Sequence, residues 1–109
     1  FDLEFLRAVG IELPDCRYVD VMAMFAPVFG LRDDYHGGYR WQDLATAAAY
    51  VGHDWGAEGP HDALADCRAA LAVLRWLEAH EGEEVDRCEQ GERRAAAWRR
   101  LDAAEAAKM

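Results

Sequence analysis

The fold of this chain is decided by residues 59–78, which read GPHDALADCRAALAVLRWLE. A helix is predicted to begin at Asp62, because apolar residues recur after it at helical spacing. The segment therefore predicts the strongest helix of the chain. Its predicted buried stripe consists of Leu64, Cys67, Leu71, Leu74 and Trp76 or Leu77.

Two helices and one short strand are predicted in the first 30 residues. Residues 1–9 are amphipathic and stop at Gly10, and residues 16–19 have the composition of a short β-strand. Asp20 is placed to cap the next helix. We assign Asp20 to this capping role alone. Pro27 is expected to disturb that helix, and Gly30 to end it.

Another helix is predicted after a polar loop at residues 31–40, with Gly52 at its end. Its apolar residues are spaced i, i+3, i+4 and i+7, which predicts a buried face made of Trp41, Leu44, Ala45 and Ala48.

Residues 81–109 differ in composition from residues 1–80 and are predicted to form a separate acidic, Arg- and Ala-rich helical tail. We expect an exposed helix or a frayed segment, interrupted near Gly91. Trp98 and Leu101 are interpreted as a small core contact. The paired arginines alternate with acids, which favours a solvated face over a nucleic-acid patch.

The chain is thus predicted to be mostly α-helical with one short strand. Apolar faces on at least three helices need a second layer to pack against. The sheet could lie in an N-terminal half that is missing here, or the helices could pack on one another or on a second copy. The start at Phe1, without a cap or leader, suggests truncation, processing or a preceding segment.

Composition allows one small domain of 109 residues, with no apolar run long enough to span a bilayer. A soluble, cytoplasmic protein without a membrane partner is expected. The three cysteines have no zinc-site spacing and are predicted to be buried free thiols: Cys16, Cys67 and Cys88. The net charge of −9 does not exclude a nucleic-acid partner, because bound cations can supply local positive charge.

Four pieces of the sequence, in order, resemble the DEDDh 3′–5′ exonucleases, the family of the DNA polymerase III epsilon proofreading subunit and RNase T. Residues 59–66, GPHDALAD, resemble the family's third motif, H-x-A-x-x-D, and residues 1–6, FDLEFL, resemble the end of its second motif, H-N-A-x-F-D-x-x-F-L. Residues 19–22, VDVM, are similar to its aspartate-threonine-leucine segment. Residues 41–45, WQDLA, with the later pair Val51-Gly52, are similar to its L-x-x-L-A helix. The resemblance covers residues 1–78.

The resemblance implies the C-terminal portion of an α/β RNase H-like exonuclease fold, which would act on the 3′ end of a single-stranded nucleic acid. It implies that Asp2 and Asp66 are ligands of two Mg²⁺ or Mn²⁺ ions and that His61 is the general base. Phe1 and Phe5 would flank the substrate. Hard divalent ions take oxygen ligands, which suits a carboxylate site.

The chain departs from the family in lacking the first motif, D-x-E, and the His-Asn-Ala start of the second. Two carboxylates leave most of the metal's coordination shell to water, so we expect weak Mg²⁺ binding. The resemblance therefore implies an exonuclease that is inactive as this chain alone.

Other interpretations remain open for the same residues. Asp66 could be a half-buried acid paired with Arg68 or a nearby loop, His61 a surface histidine, and Asp2 a first-turn acid that complements the helix dipole. A non-catalytic helical interaction module is the main alternative function. An HD-type metal phosphohydrolase is a lesser one, suggested by His-Asp dipeptides at residues 53–54 and 61–62 and by His36 upstream of them.

Overall fold

A computed structural model describes residues 8–10, 20–56 and 62–107. Four helices lie within these ranges and are named here in chain order: α1 (Val21–Phe29), α2 (Leu44–Val51), α3 (Ala63–Ala79) and α4 (Arg87–Ala107). The sole β pairing of the same ranges is one isolated antiparallel bridge between Arg32 and Tyr39. The mostly helical prediction is confirmed. The strand predicted at residues 16–19 lies outside the described residues.

Each of these four helices begins at an aspartate whose side chain accepts main-chain N–H groups of the first turn. The acceptor distances are 3.1 Å from Asp20 to Met22 N, 2.8 Å from Asp43 to Thr46 N, 3.0 Å from Asp62 to Ala65 N and 2.9 Å from Asp86 to Cys88 N. These bonds satisfy donors that a helix start otherwise leaves without partners. The capping role predicted for Asp20 and the helix predicted to begin at Asp62 are confirmed.

The predicted ends of α1 and α2 are also confirmed. Gly30 and Gly52 follow the last residues of these helices with φ of 80° and 75°, the left-handed conformation that glycine adopts most readily. Pro27 lies inside α1 and does not end it. The helix continues two residues further, to Phe29.

The core is an aromatic cluster contributed by α1 and α2 and enclosed by the two longer helices. Phe25 and Phe29 lie 5.3 and 5.7 Å, centroid to centroid, from the ring of Tyr50, and Phe25 meets it edge to face. Ala47 and Ala48 are fully buried, so α2 approaches its neighbours closely. The helices therefore pack on one another, which is one of the arrangements expected from their apolar faces.

The buried face of α3 agrees with the predicted stripe at its C-terminal end, where Leu77 is buried and Trp76 packs against the core, and differs from it towards the N-terminus. The side chains turned inward are spaced four apart: Ala65, Ala69, Val73 and Leu77. Leu64 and Leu71 are 57% and 44% exposed, and Cys67 is exposed as well. Small side chains at positions 65 and 69 permit close helix packing. Leu64, Cys67 and Leu71, here called the leucine stripe, therefore lie on the outer side of α3.

The prediction of buried thiols is wrong for Cys67 and Cys88, which are both exposed, and Cys16 lies outside the described residues. Cys67 shares the outward leucine stripe of α3. Cys88 lies in the first turn of α4, where the capping Asp86 faces solvent. Trp41 is likewise 61% exposed, because it precedes α2 and its cap and does not lie on the buried face.

The segment predicted as an exposed helix or a frayed tail is a continuous helix, as in the first of these alternatives, and Gly91 does not interrupt it. Ala97 is completely buried, and the indole of Trp98 meets the Phe29 ring edge to face at 5.8 Å. Leu101 packs against the same core, so its interpretation as a core contact is confirmed, whereas Trp98 reaches the core only through Phe29 and stays 45% exposed. Tertiary packing of this kind stabilises a helix even where most of its side chains are charged or small.

Candidate functional site

Of the two proposed metal ligands, Asp66 is the one that lies within the described residues. It lies in the first turn of α3, partly buried, and its main-chain N–H donates a 2.8 Å hydrogen bond to the carbonyl of Asp62. Asp62 in turn caps the helix through Ala65 N. The carboxylate is therefore attached to a rigid, capped helix start, and the residue has an interaction partner in the fold.

The other proposed site residues lie outside the described residues. These are Phe1, Asp2, Phe5 and His61. Whether Asp2 and His61 converge on Asp66 consequently stays a prediction. His61 is the residue directly before the Asp62 cap, so it is one peptide unit away from the start of α3 in the chain.

The helix predicted for residues 1–9 is described only at its end. Ala8 is helical, and Gly10 has a φ of 86°, as expected for a glycine that follows a helix.

The described residues contain no group of three or more His, Cys, Asp and Glu side chains that could hold a metal ion. Of the proposed ligands, Asp66 is the one within the described residues, and its carboxylate provides oxygen donors of the kind that Mg²⁺ and Mn²⁺ prefer. A complete site would need further ligands from residues outside the described ranges or from another chain.

The residues behind the HD-type alternative are engaged locally. The Asp54 carboxylate accepts a 2.9 Å hydrogen bond from Gly56 N, and the ring of His53 contacts Trp55 at 5.6 Å. His36 pairs with Asp33, its Nδ1 lying 3.1 Å from Oδ2. None of these belongs to a metal-binding group within the described part of the chain.

The polar loop between α1 and α2 is ordered around Asp33. Its carboxylate accepts hydrogen bonds from Tyr35 N at 3.1 Å and His36 N at 3.0 Å. The hydrogen bond from the main chain of His36 is the largest of the effects that hold the pKa of Asp33 below its ordinary value. Gly37 and Gly38 complete the turn, both with positive φ, so the Gly-Gly pair has a conformational role.

A layered group of side chains joins the end of α3 to α4, and sequence reasoning did not identify it. The rings of Trp76 and His80 are stacked with centroids 3.8 Å apart, and the Arg93 guanidinium lies 5.1 Å from the Trp76 ring centre. The ring of Tyr50 meets Trp76 edge to face, and burial raises the pKa of the Tyr50 hydroxyl. The i, i+4 spacing of Trp76 and His80 was the available sequence signal.

Two arginines of α4 bind the ends of other helices, contrary to the solvated face predicted for them. Arg94 Nη1 donates to the Phe29 carbonyl at 2.8 Å, and Arg100 Nη1 donates to the Ala49 carbonyl at 2.6 Å. Carbonyls near a helix C-terminus lack intrahelical partners and carry partial negative charge, which explains the attraction.

Comparison with protein-family models, curated proteins and solved structures finds no match to this chain. In the described part of the molecule no helix is both long and apolar enough to cross a membrane.

Proposed function

We propose that this chain is the C-terminal portion of an RNase H-like, metal-dependent 3′–5′ exonuclease domain. The observation that carries the proposal is the position of Asp66, which is fixed in the first turn of α3 directly after the Asp62 cap. His61 adjoins that cap in sequence. The order of a histidine, a helix start and a first-turn aspartate is the order of the motif that residues 59–66 resemble.

The proposed reaction releases nucleoside 5′-monophosphates from the 3′ end of a single strand. Asp66 and Asp2 would hold Mg²⁺ or Mn²⁺, which supplies charge stabilisation at the attacking and leaving oxygens. His61 accepts the proton of the attacking water, a task suited to imidazole because histidine titrates near neutral pH. Phe1 and Phe5 contact the terminal nucleotide.

The outward apolar stripe of α3 supports an α/β domain. Leu64 and Leu71 face away from the helical core. A helical layer with a second apolar side is suited to pack against a sheet. In this proposal the sheet comes from an N-terminal half that precedes these residues, or from a second copy of the chain.

Metal binding by the 109-residue chain tests the site. Mn²⁺ should broaden NMR signals of the first turn of α3, and Asp66→Asn should abolish the effect. Asp43→Asn is the matched control, because it removes the same charge from a helix start and asparagine still caps. Broadening that is unchanged in Asp66→Asn would contradict the proposed site.

A nuclease assay tests the proposed inactivity of the chain alone. With 5′-labelled single-stranded DNA or RNA and Mn²⁺, we expect no turnover. Stepwise shortening from the 3′ end that disappears in His61→Ala would show that these residues suffice for catalysis.

The outward stripe also favours a second candidate, a non-catalytic interaction module that binds a protein through Leu64, Cys67 and Leu71. Exposed apolar patches of this kind mark interaction sites. A rise in melting temperature with Mn²⁺ and a nucleoside monophosphate favours the nuclease. A rise with a protein ligand alone favours the module.

A further inference from the structure

An open groove between the end of α1 and the start of α4 collects positive charge on this acidic chain. Its lining includes Arg32, Arg87 and Arg94, together with Gln90 and Tyr39, and no carboxylate among the described residues. The full sequence has 21 acidic residues and 12 basic ones, so three arginines without an acid in one groove is a marked local inversion of charge.

The three guanidinium groups are not neutralised by ion pairs within the described residues. The ion pairs His36–Asp33 and Arg93–Glu89 lie within the described residues, and neither includes an arginine of the groove. Guanidinium groups bind phosphate oxygens through pairs of parallel N–H donors. The groove is therefore chemically suited to phosphate groups.

Packing holds the wall of the groove in place. Arg94 is anchored by its bond to the Phe29 carbonyl, and Gln90 Nε2 donates to the Val28 carbonyl at 2.7 Å. The Arg32 guanidinium lies 5.3 Å from the centre of the Tyr39 ring. Such preorganisation lowers the entropic cost of binding a ligand.

The spacing of the arginines favours a strand over a single phosphate. Arg87 and Arg94 are seven residues apart on one face of α4, which separates their Cα atoms by about 10 Å along the helix axis. Arg32, beside Tyr39 in the loop after α1, adds a third guanidinium to the lining, so the groove offers donors for more than one phosphate of a chain. Tyr39 is 42% exposed beside Arg32 and offers a ring on which a base can stack.

We infer that the groove formed by Arg32, Arg87, Arg94 and Tyr39 binds the phosphate backbone of the single strand upstream of the 3′ end. This inference rests on the proposed nuclease function. The groove adjoins the start of α4, past the C-terminal end of α3, whereas Asp66 lies in the first turn of α3. The strand would thus be held away from the reacting end.

Fluorescence anisotropy with a labelled single-stranded oligonucleotide tests the groove, in EDTA and over a series of salt concentrations that begins low. Arg32→Gln and Arg87→Gln should each weaken binding about tenfold. The slope of log K against log salt should fall by about 0.7 for each lost phosphate contact. Arg99→Gln is the matched control, since Arg99 is exposed on the same helix and does not line the groove. Arg94 is left intact because it caps α1.

The outcomes separate this inference from the proposed function. EDTA removes divalent ions, so oligonucleotide binding measured in EDTA does not depend on metal bound at Asp66. Equal weakening by Arg87→Gln and Arg99→Gln, or no oligonucleotide binding, overturns the inference. Binding of inorganic phosphate without binding of the oligonucleotide overturns it as well. Loss of affinity confined to Arg32→Gln and Arg87→Gln supports it, whatever Mn²⁺ does at Asp66.

Discussion

The guanidinium of Arg94 donates a hydrogen bond to the main-chain carbonyl of Phe29, 65 residues earlier in the chain, at 2.8 Å. Phe29 is the last residue of α1. Arg100 makes the equivalent bond to Ala49, close to the end of α2, at 2.6 Å. The last helix therefore holds the ends of the first two helices through charged side chains as well as through apolar packing.

Replacing Arg94 by Met should lower the free energy of unfolding by about 1–2 kcal/mol, because a partly buried charged hydrogen bond and a favourable helix-dipole interaction are lost. Urea denaturation measures the change. Arg99→Met removes the same charge from an exposed position and should stay within about 0.5 kcal/mol of the unmodified chain. Similar losses in both variants would mean that the bond to Phe29 does not stabilise the fold.

Replacing Ala97 by Leu should destabilise the chain by about 1–3 kcal/mol, because the larger side chain has no room at a position with no exposed surface. Ala104→Leu is the control at an exposed position of the same helix, and it should change stability little. If Ala97→Leu were as mild as Ala104→Leu, α4 would not pack on the core in solution.

The helix boundaries could be predicted from the sequence because caps act locally. Asp20, Asp62, Gly30 and Gly52 fix the ends of their helices through bonds and backbone angles that involve only their near neighbours. The predictions for Asp20, Gly30 and Gly52, and that of a helix beginning at Asp62, are confirmed. Arg94 binds the carbonyl of Phe29, which lies 65 residues earlier in the chain, so no local sequence pattern could have identified this hydrogen bond.

Leu77 was predicted correctly as part of the buried face of α3, but Leu64 and Leu71 were predicted wrongly, because periodicity alone does not choose between two apolar stripes. The leucine stripe is more hydrophobic, yet the alanine-rich stripe with Val73 packs inward because small side chains allow close approach to neighbouring helices. The same holds for the candidate site, because a sequence pattern does not fix which distant residues meet in the folded chain. The sequence places His61 beside the start of α3, but the convergence of Asp2 with Asp66 is a tertiary question that the described residues leave as a prediction.

Two alanine substitutions on α3 test which of its faces is buried. Val73→Ala should cost about 1–3 kcal/mol of unfolding free energy, because Val73 is fully buried and a cavity would remain. Leu71→Ala removes a larger side chain but should cost less than about 1 kcal/mol, because that side chain is partly in water. The reverse order of costs would restore the leucine stripe as the core face.

The loop centred on Asp33 should open at acidic pH. The folded chain lowers the pKa of Asp33 by hydrogen bonds from His36 N and Tyr35 N, so the carboxylate stabilises the loop fully above its unfolded-state pKa. That stabilisation is lost as the pH falls through the lower, folded-state pKa. The His36 amide signal, followed by NMR, should therefore titrate with a midpoint below the ordinary aspartate value. Asp33→Asn should remove the transition, and Asp34→Asn should leave it in place, because these bonds are accepted by Asp33 and not by its neighbour. A midpoint at or above the ordinary value would show that the carboxylate does not order this loop.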